Sequence, residues 1–189
     1  MDLADAASVR AFLRDARPHW IVSAGAYTAV DKAESEPDLA FAINAEAVGI
    51  IGAEARTLGA GVLHFSTDYV FHGEGTRPYL ESDPTGPLGV YGASKLAGEQ
   101  RLLESGATAL IFRTSWVYGA TGKNFLRTIL RLAREAVHQL QQREPAAALA
   151  RITGIPTTEY PTPAARPANS RLNCQKLAAT FDWEMPVWE

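Results

Sequence analysis

Tyr91 and Lys95 stand four residues apart in the run Val90-Tyr91-Gly92-Ala93-Ser94-Lys95-Leu96-Ala97-Gly98-Glu99. On a helix that spacing puts both side chains on one face, about one turn apart. An ammonium beside a phenol favours the phenolate and lowers the tyrosine pKa. A phenol tuned in this way can donate or accept a proton near neutral pH. Proton delivery to a carbonyl oxygen accompanies hydride transfer to a ketone, so the pair suggests carbonyl reduction. A lone Tyr-x-x-x-Lys is weak evidence, and the elements around it decide its meaning.

Those elements alternate. Asp5 can cap a helix running to about Ala16, with Val9, Phe12, Leu13 and Ala16 on its apolar face and Pro18 ending it. Trp20 to Ala24 reads as a short buried strand, followed by a Gly25-Ala26 turn. Ser35-Glu36-Pro37 starts a helix that continues towards Leu58, where Gly59 stops it. Gly61 to Ser66 is a second strand, and Thr67 to about Val90 is a long connection of the kind that carries function. The helix holding Tyr91 and Lys95 runs to about Glu104, and Thr108 to Arg113 is a third strand. A further helix is expected from Lys123-Asn124. Strands alternating with helices predict a parallel sheet covered on both faces.

Beyond that point the pattern degrades. His138 to Ala150 is polar and then alanine-rich, interrupted by Pro145, and reads equally as helix, linker or disorder. Ile155 to Arg171 is a proline-punctuated loop, and Asn173 can cap a short helix through Phe181.

Composition narrows the classes. The chain has 189 residues, 47% of them hydrophobic, and a formal charge of −3, so neither nucleic-acid binding nor a basic tail is expected. No apolar run is long enough to span a bilayer, and the acidic start Met1-Asp2-Leu3 does not resemble a signal peptide. A soluble, cytoplasmic protein is the expectation. The single cysteine, Cys174, excludes an internal disulfide and a multi-cysteine metal site, and is expected as a small apolar residue. His64 and His72 lack a metal-spaced partner and are expected to be structural or solvated; no metal site is expected.

One motif is missing. A dinucleotide-binding domain normally opens with a strand, a Gly-rich turn and a helix N-terminus that receives the pyrophosphate. No G-x-G-x-x-G occurs, and Gly59-Ala60-Gly61 ends a helix instead of starting one.

Five blocks taken together are far more specific than the Tyr-Lys pair. They are Tyr27 to Glu34 (YTAVDKAE), Ser66 to Phe71 (STDYVF), Tyr91 to Glu99, Phe112 to Tyr118 (FRTSWVY) and Tyr160 to Leu172 (YPTPAARPANSRL). In this order they closely resemble the dTDP-4-dehydrorhamnose reductase family of the extended short-chain dehydrogenase/reductase superfamily. The likeness covers residues 2 to about 134 and about 152 to the end.

The resemblance implies reduction of the 4-keto group of dTDP-4-dehydro-L-rhamnose to dTDP-L-rhamnose, with NADPH or NADH as cofactor. Tyr91 matches the catalytic tyrosine, Lys95 the lysine that lowers its pKa and holds the nicotinamide ribose, and Thr67 the hydroxyl that binds the ketone oxygen. Thr67, Asp68 and Trp116 match substrate contacts; Ala26, Tyr27 and Thr28 match the turn where the cofactor passes, and Asp2 and Leu3 the pair at its adenine. Three of them have a plainer reading: Tyr91 as a half-buried aromatic, Trp116 as core, Asp68 as a turn cap. Arg166 and Arg171 are expected as surface ion-pair or carbonyl-binding groups, with a diphosphate contact as the alternative.

The implied fold is α/β, an incomplete doubly wound (Rossmann-like) parallel sheet with a remnant of a smaller C-terminal substrate domain. Its expected divisions are 1–137, the NAD(P)-binding part; 138–151, a linker; and 152–189, the remnant. Relative to the family, Met1-Asp2-Leu3 falls after the first strand, Gly-rich turn, first helix and second strand. A second block is lacking between about Glu135 and Arg151. Ser23 and Gly25 stand where the family prefers Asn and Ala, and the carboxylates of its interfacial metal have no counterparts. A homodimer is compatible with the resemblance. Two other readings stay open: a non-catalytic member that binds a sugar nucleotide or a partner, and a sister epimerase or dehydratase sharing Tyr91 and Lys95.

Overall fold

The computed structural model describes residues 1–117, 119, 121, 125–143, 159 and 161–186. They fall into two compact units, Met1–Ser115 with Thr162–Glu189, and Trp116–Pro161.

In the first unit, helix α1 spans Ala6–Ala16, and the Asp5 carboxylate accepts from the Ala7 N–H at 2.8 Å as its N-cap. Strands β1 (Trp20–Ser23), β2 (Gly61–Thr67) and β3 (Ala109–Thr114) form a parallel sheet in the order β1-β2-β3. The register pairs Ser23 with His64 and Thr67 with Thr114, so the carboxyl ends of the strands lie together. Between β1 and β2 come α2 (Val30–Ala33), α3 (Pro37–Phe41), a π-helical segment (Ala42–Glu46) and α4 (Ala47–Leu58). Gly59 ends α4 at φ 68°, a left-handed cap that glycine adopts without strain. Helix α5 (Val90–Glu104) lies between β2 and β3.

The sheet is covered differently from the sequence expectation. Ile21, Val62 and their neighbours face α1, α4 and α5 and form the core with Val9, Val48 and Leu102. On the opposite face Trp20 is 61% exposed, Val22 65%, Phe65 39% and Leu110 40%. The cause is topological. Right-handed crossovers that advance the sheet in one direction lay every connecting helix on the same side. Covering the other side needs a reversal of strand order, and the described strands run β1-β2-β3 without one. Phe181 of α7 (Gln175–Phe181) approaches that side, its ring 6.1 Å from Phe112.

The long connection is packed despite its irregular backbone. A single 3-10 turn, Asp68–Val70, opens it, and Phe71 stacks on Tyr79 with centroids 4.2 Å apart. Tyr79 bridges Leu172, which straps the C-terminal segment to the connection. Arg171 donates to the Thr76 carbonyl, the carbonyl-binding role expected of it. Asn173 accepts from the Gln175 N–H at 2.9 Å at the start of α7, and Cys174 is exposed instead of packed.

The second unit is described mainly by α6 (Phe125–Arg143), which carries an Arg131–Glu135 pair at 2.7 Å. The expected start at Lys123-Asn124 lies outside the described residues. His138–Arg143 continue this helix, while residues 144–151 of the expected linker, and 152–158 beyond it, lie outside the described residues. Among the described residues no helix is long and apolar enough to cross a membrane.

Candidate active site

Thr67 is the last residue of β2 and is 5% exposed. Its hydroxyl donates to Asp68 Oδ1 at 3.1 Å and accepts from the Tyr69 N–H at 3.2 Å, which fixes the 3-10 turn. Asp68 is 4% exposed, and burial pushes its carboxyl pKa upward against the Thr67 hydrogen bond. Thr67, not Asp68, caps this turn, and the Asp68 carboxyl is held at the strand end by the Thr67 hydroxyl.

Helix α5 delivers Tyr91 and Lys95 to the same strand end. Its N-terminus has no side-chain cap of its own, because Gly89 occupies that position; Glu34 supplies one, accepting from the Val90 N–H at 2.8 Å. Gly92 sets how closely the helix approaches: a Cβ there would lie 2.3 Å from the Tyr69 carbonyl oxygen. Tyr91 then packs edge-on to Tyr69, with centroids 5.4 Å apart at 79°.

The electrostatics differ from the sequence expectation. Burial raises the Tyr91 phenol pKa, with the Thr67 hydroxyl opposing and the Asp68 carboxylate adding to it. Lys95 does not depress it, because its ammonium is turned into the sheet. There Lys95 Nζ donates to the Phe65 carbonyl at 2.7 Å and faces His64 Nε2 at 3.3 Å. Lys95 is 2% exposed, and loss of hydration lowers its pKa to about 8, with Glu99 acting the other way. Tyr91 and Lys95 thus share a helix and a strand end, while their polar atoms hold different partners.

His64 is fully buried and structural, one of the two alternatives expected of it. Its Nδ1 lies 3.1 Å from Ser23 Oγ across the β1–β2 register, and burial together with Lys95 lowers its pKa to about 4. His72 hydrogen-bonds Tyr79 at 3.0 Å.

A residue that sequence reasoning passed over ties the site together. Asn44 is 1% exposed and lies in the π-helical segment, a distortion that often marks function. Its Oδ1 accepts from the Tyr27 N–H at 2.9 Å, and its Nδ2 donates to the Tyr27 carbonyl at 3.1 Å and to Ser94 Oγ at 3.0 Å. One amide therefore joins the loop after β1 to the helical turn between Tyr91 and Lys95. The available signal was an asparagine within the otherwise apolar Phe41-Ala42-Ile43-Asn44-Ala45 run, where a polar group needs partners.

The residues expected at a cofactor lie partly together. Leu3 packs over the turn at Gly25, where a Cβ would come within 2.7 Å of Leu3 Cδ1. Ala26 and Tyr27 follow, half-buried, and Thr28 is exposed. Asp2 is exposed and accepts from the Ala4 N–H at 2.9 Å. This turn follows β1 at the carboxyl end of a parallel sheet, the position where such folds hold nucleotides. Leu3 over Gly25 and the Tyr27 backbone held by Asn44 line this turn.

Trp116 belongs to the second unit, has a left-handed φ of 51° and is 56% exposed, so the core reading does not hold. Tyr118 and Tyr160 lie outside the described residues. Arg166 forms the expected ion pair: Nη1 and Nη2 meet the Asp31 carboxylate at 3.0 and 2.8 Å. No cluster of three metal-ligating side chains occurs among the described residues.

Comparison with known proteins follows this geometry. The model of the RmlD substrate binding domain family matches residues 1–142 and 136–189, the whole chain in two overlapping stretches. The dTDP-4-dehydrorhamnose reductase of Escherichia coli K12 is 40% identical over an alignment of 245 residues that covers 100% of this chain and 82% of that protein. A 245-residue alignment to a 189-residue chain, with the family match broken near 136–142, places the unmatched block inside the chain. The Streptomyces griseus reductase is 49% identical over 133 residues, covering 70% of this chain and 44% of that protein. Among solved structures, the Bacillus anthracis dTDP-4-dehydrorhamnose reductase in complex with NADP superposes with a TM-score of 0.85 at 29% identity, covering 100% of this chain and 83% of that one. A Thermus thermophilus UDP-glucose 4-epimerase matches with a TM-score of 0.62 at 24% identity, over 74% of this chain and 47% of that one, and shares the fold alone. The chain belongs to the dTDP-4-dehydrorhamnose reductase family.

Proposed function

We propose that this chain reduces the 4-keto group of dTDP-4-dehydro-L-rhamnose to give dTDP-L-rhamnose, with NADPH as the preferred reductant and NADH as an alternative. The observation that carries the reading is the convergence of Thr67, Tyr91 and Lys95 on the carboxyl end of β2. NADPH, when bound, supplies the hydride that reaches C4 of the sugar.

The protein's own residues handle the oxygen and its proton. Thr67, its hydroxyl turning from Asp68, and Tyr91 donate to the ketone oxygen as negative charge develops there. Tyr91 transfers its phenolic proton to that oxygen, which completes the alcohol. Lys95 stands at the same strand end: its ammonium has three donors, and two partners are assigned to them among the described residues. The remaining donor is available to the ribose. Asn44 orders the Tyr27 backbone and the Ser94 turn, so both walls of the site keep their spacing. Asp2 and Leu3 meet the cofactor's adenine and Ala26, Tyr27 and Thr28 line the turn where it passes, while Thr67 and Asp68 contact the sugar nucleotide. A cytoplasmic location and a homodimeric state belong to the same proposal.

Tyr91→Phe tests it. The expected result is a fall in kcat of about 10²–10⁴-fold for NADPH oxidation with the keto-sugar, the range typical of losing a general acid. NADPH binding by calorimetry should stay within about twofold, since the ring itself remains. Unchanged turnover in the variant would remove Tyr91 from the chemistry.

A further inference from the structure

His64 is a buried, titratable residue that the proposed chemistry does not use. It is 0% exposed, and it touches the one lysine that the chemistry needs. Among the described residues Lys95 has no carboxylate as a hydrogen-bond partner: Glu99 acts on it through space, while the Glu99 oxygens are held by Arg113 at 3.0 and 2.6 Å. The partners of this buried ammonium are neutral, the Phe65 carbonyl and His64 Nε2.

An ammonium can only donate, so His64 Nε2 must accept and carry no proton. The proton of the neutral ring is then on Nδ1, where Ser23 Oγ receives it at 3.1 Å. Ser23 stands directly opposite His64 in the β1–β2 register, so the sheet itself sets this contact. Lys95 is the charged group facing His64, and Ser23 is its second polar neighbour. A hydrogen-bonded line therefore runs from the end of β1, through β2, to Lys95 on α5.

We propose that His64 is a positioning residue for Lys95: its unprotonated Nε2 anchors the inward-turned ammonium beside the Phe65 carbonyl and so fixes where Lys95 stands at the carboxyl end of β2, and Ser23 fixes the tautomer that makes this possible. The role rests on the reductase reading for its catalytic consequence, but the contact itself does not. A protonated His64 would present a second cation to Lys95, so the device works only with the ring neutral. It also gives a reason for the hydroxyl at position 23, since a serine oxygen can accept from Nδ1–H.

Two measurements decide it. Long-range ¹H–¹⁵N spectra of the histidine-labelled wild-type chain near neutral pH should show His64 as the Nδ1–H tautomer, the minor form of free histidine. An Nε2–H tautomer or an imidazolium would overturn the proposal. In Ser23→Ala the Nδ1–H signature should weaken or mix with the other tautomer; an unaltered pattern would remove Ser23 from the device.

The second measurement reads catalysis. His64→Phe, which keeps ring volume but offers no acceptor, should lower kcat about tenfold with the KM for the sugar nucleotide within about twofold. His64→Gln, whose amide oxygen can accept from Lys95, should recover most of that loss. Equal kcat in wild type and His64→Phe, or equal loss in both variants, would sink the positioning role. Should His64→Phe not fold, the tautomer and the Gln variant still decide the question. An inactive wild-type chain with the Nδ1–H tautomer would count against the proposed reaction and leave the contact standing.

Discussion

A buried amide is worth most where each of its groups has a partner, and Asn44 meets that condition with three hydrogen bonds. Replacing it with alanine leaves the Tyr27 N–H and carbonyl without their partner in a half-buried loop. The expected cost is about 1–3 kcal/mol of unfolding free energy, read from urea denaturation. The same variant should bind NADPH more weakly, because the loop after β1 loses its fixed spacing. Asn44→Ala with wild-type stability and affinity would show that the bridge is incidental. Lys95 and Tyr91 illustrate the complementary point. Four residues on a helix put two side chains on one face, yet the longer one chose the sheet, since an ammonium with little water needs oxygen or nitrogen acceptors nearby.

At the scale of elements, α5 is held by close backbone approach at two glycines. A Cβ on Gly98 would lie 2.1 Å from the Asn44 carbonyl oxygen. Gly98→Ala should therefore destabilise the protein by more than about 2 kcal/mol, although alanine is the better helix former by about 1 kcal/mol. A stabilised variant in thermal melting would mean that the π-helical segment can move away at little cost. The Glu34 cap makes a milder prediction: Glu34→Ala should cost about 1 kcal/mol, as other lost N-caps do. Strand β1 tests the one-sided sheet. Ile21 is 9% exposed and its neighbour Val22 65%, so Ile21→Thr should cost about 2 kcal/mol and Val22→Thr less than about 0.5 kcal/mol in denaturant titrations. Comparable losses at both positions would show that the second face is buried too.

For the molecule as a whole, buried titratable groups set the acid limit. The folded pKa of His64 lies at about 4, below its ordinary 6.5, so between those values the unfolded chain binds a proton that the folded chain refuses. Stability from this group is complete above pH 6.5 and is lost as pH falls towards 4, by about 3 kcal/mol. Glu54, hydrogen-bonded by Arg14 and Arg10 from α1, has its pKa lowered from 4.5. Its contribution is present above pH 4.5 and disappears as pH drops through the lower folded value. Urea midpoints should therefore decline in two stages on acidification, and His64→Phe should remove the first. A single decline confined below pH 4.5 in the wild type would contradict the buried neutral imidazole.

The sequence alone determined what depends on neighbours along the chain. The Asp5 cap, Pro37 in a first turn, Gly59 as a left-handed stop and the apolar runs of β1 and β2 are local signals, and each has its counterpart in the structure. The grouping of Thr67 with Tyr91 was also legible, since parallel strands and their following helices bring strand ends to one edge. What only tertiary structure decided concerns contacts between residues far apart in the chain. The uncovered sheet face followed from strand order, which no hydrophobic period records. Asn44 met Ser94 across 50 positions, and Lys95 met His64 across 31. Glu34 reached the start of α5 across 56. Such partners are chosen by packing, because a buried donor takes whichever acceptor the folded backbone places within about 3 Å.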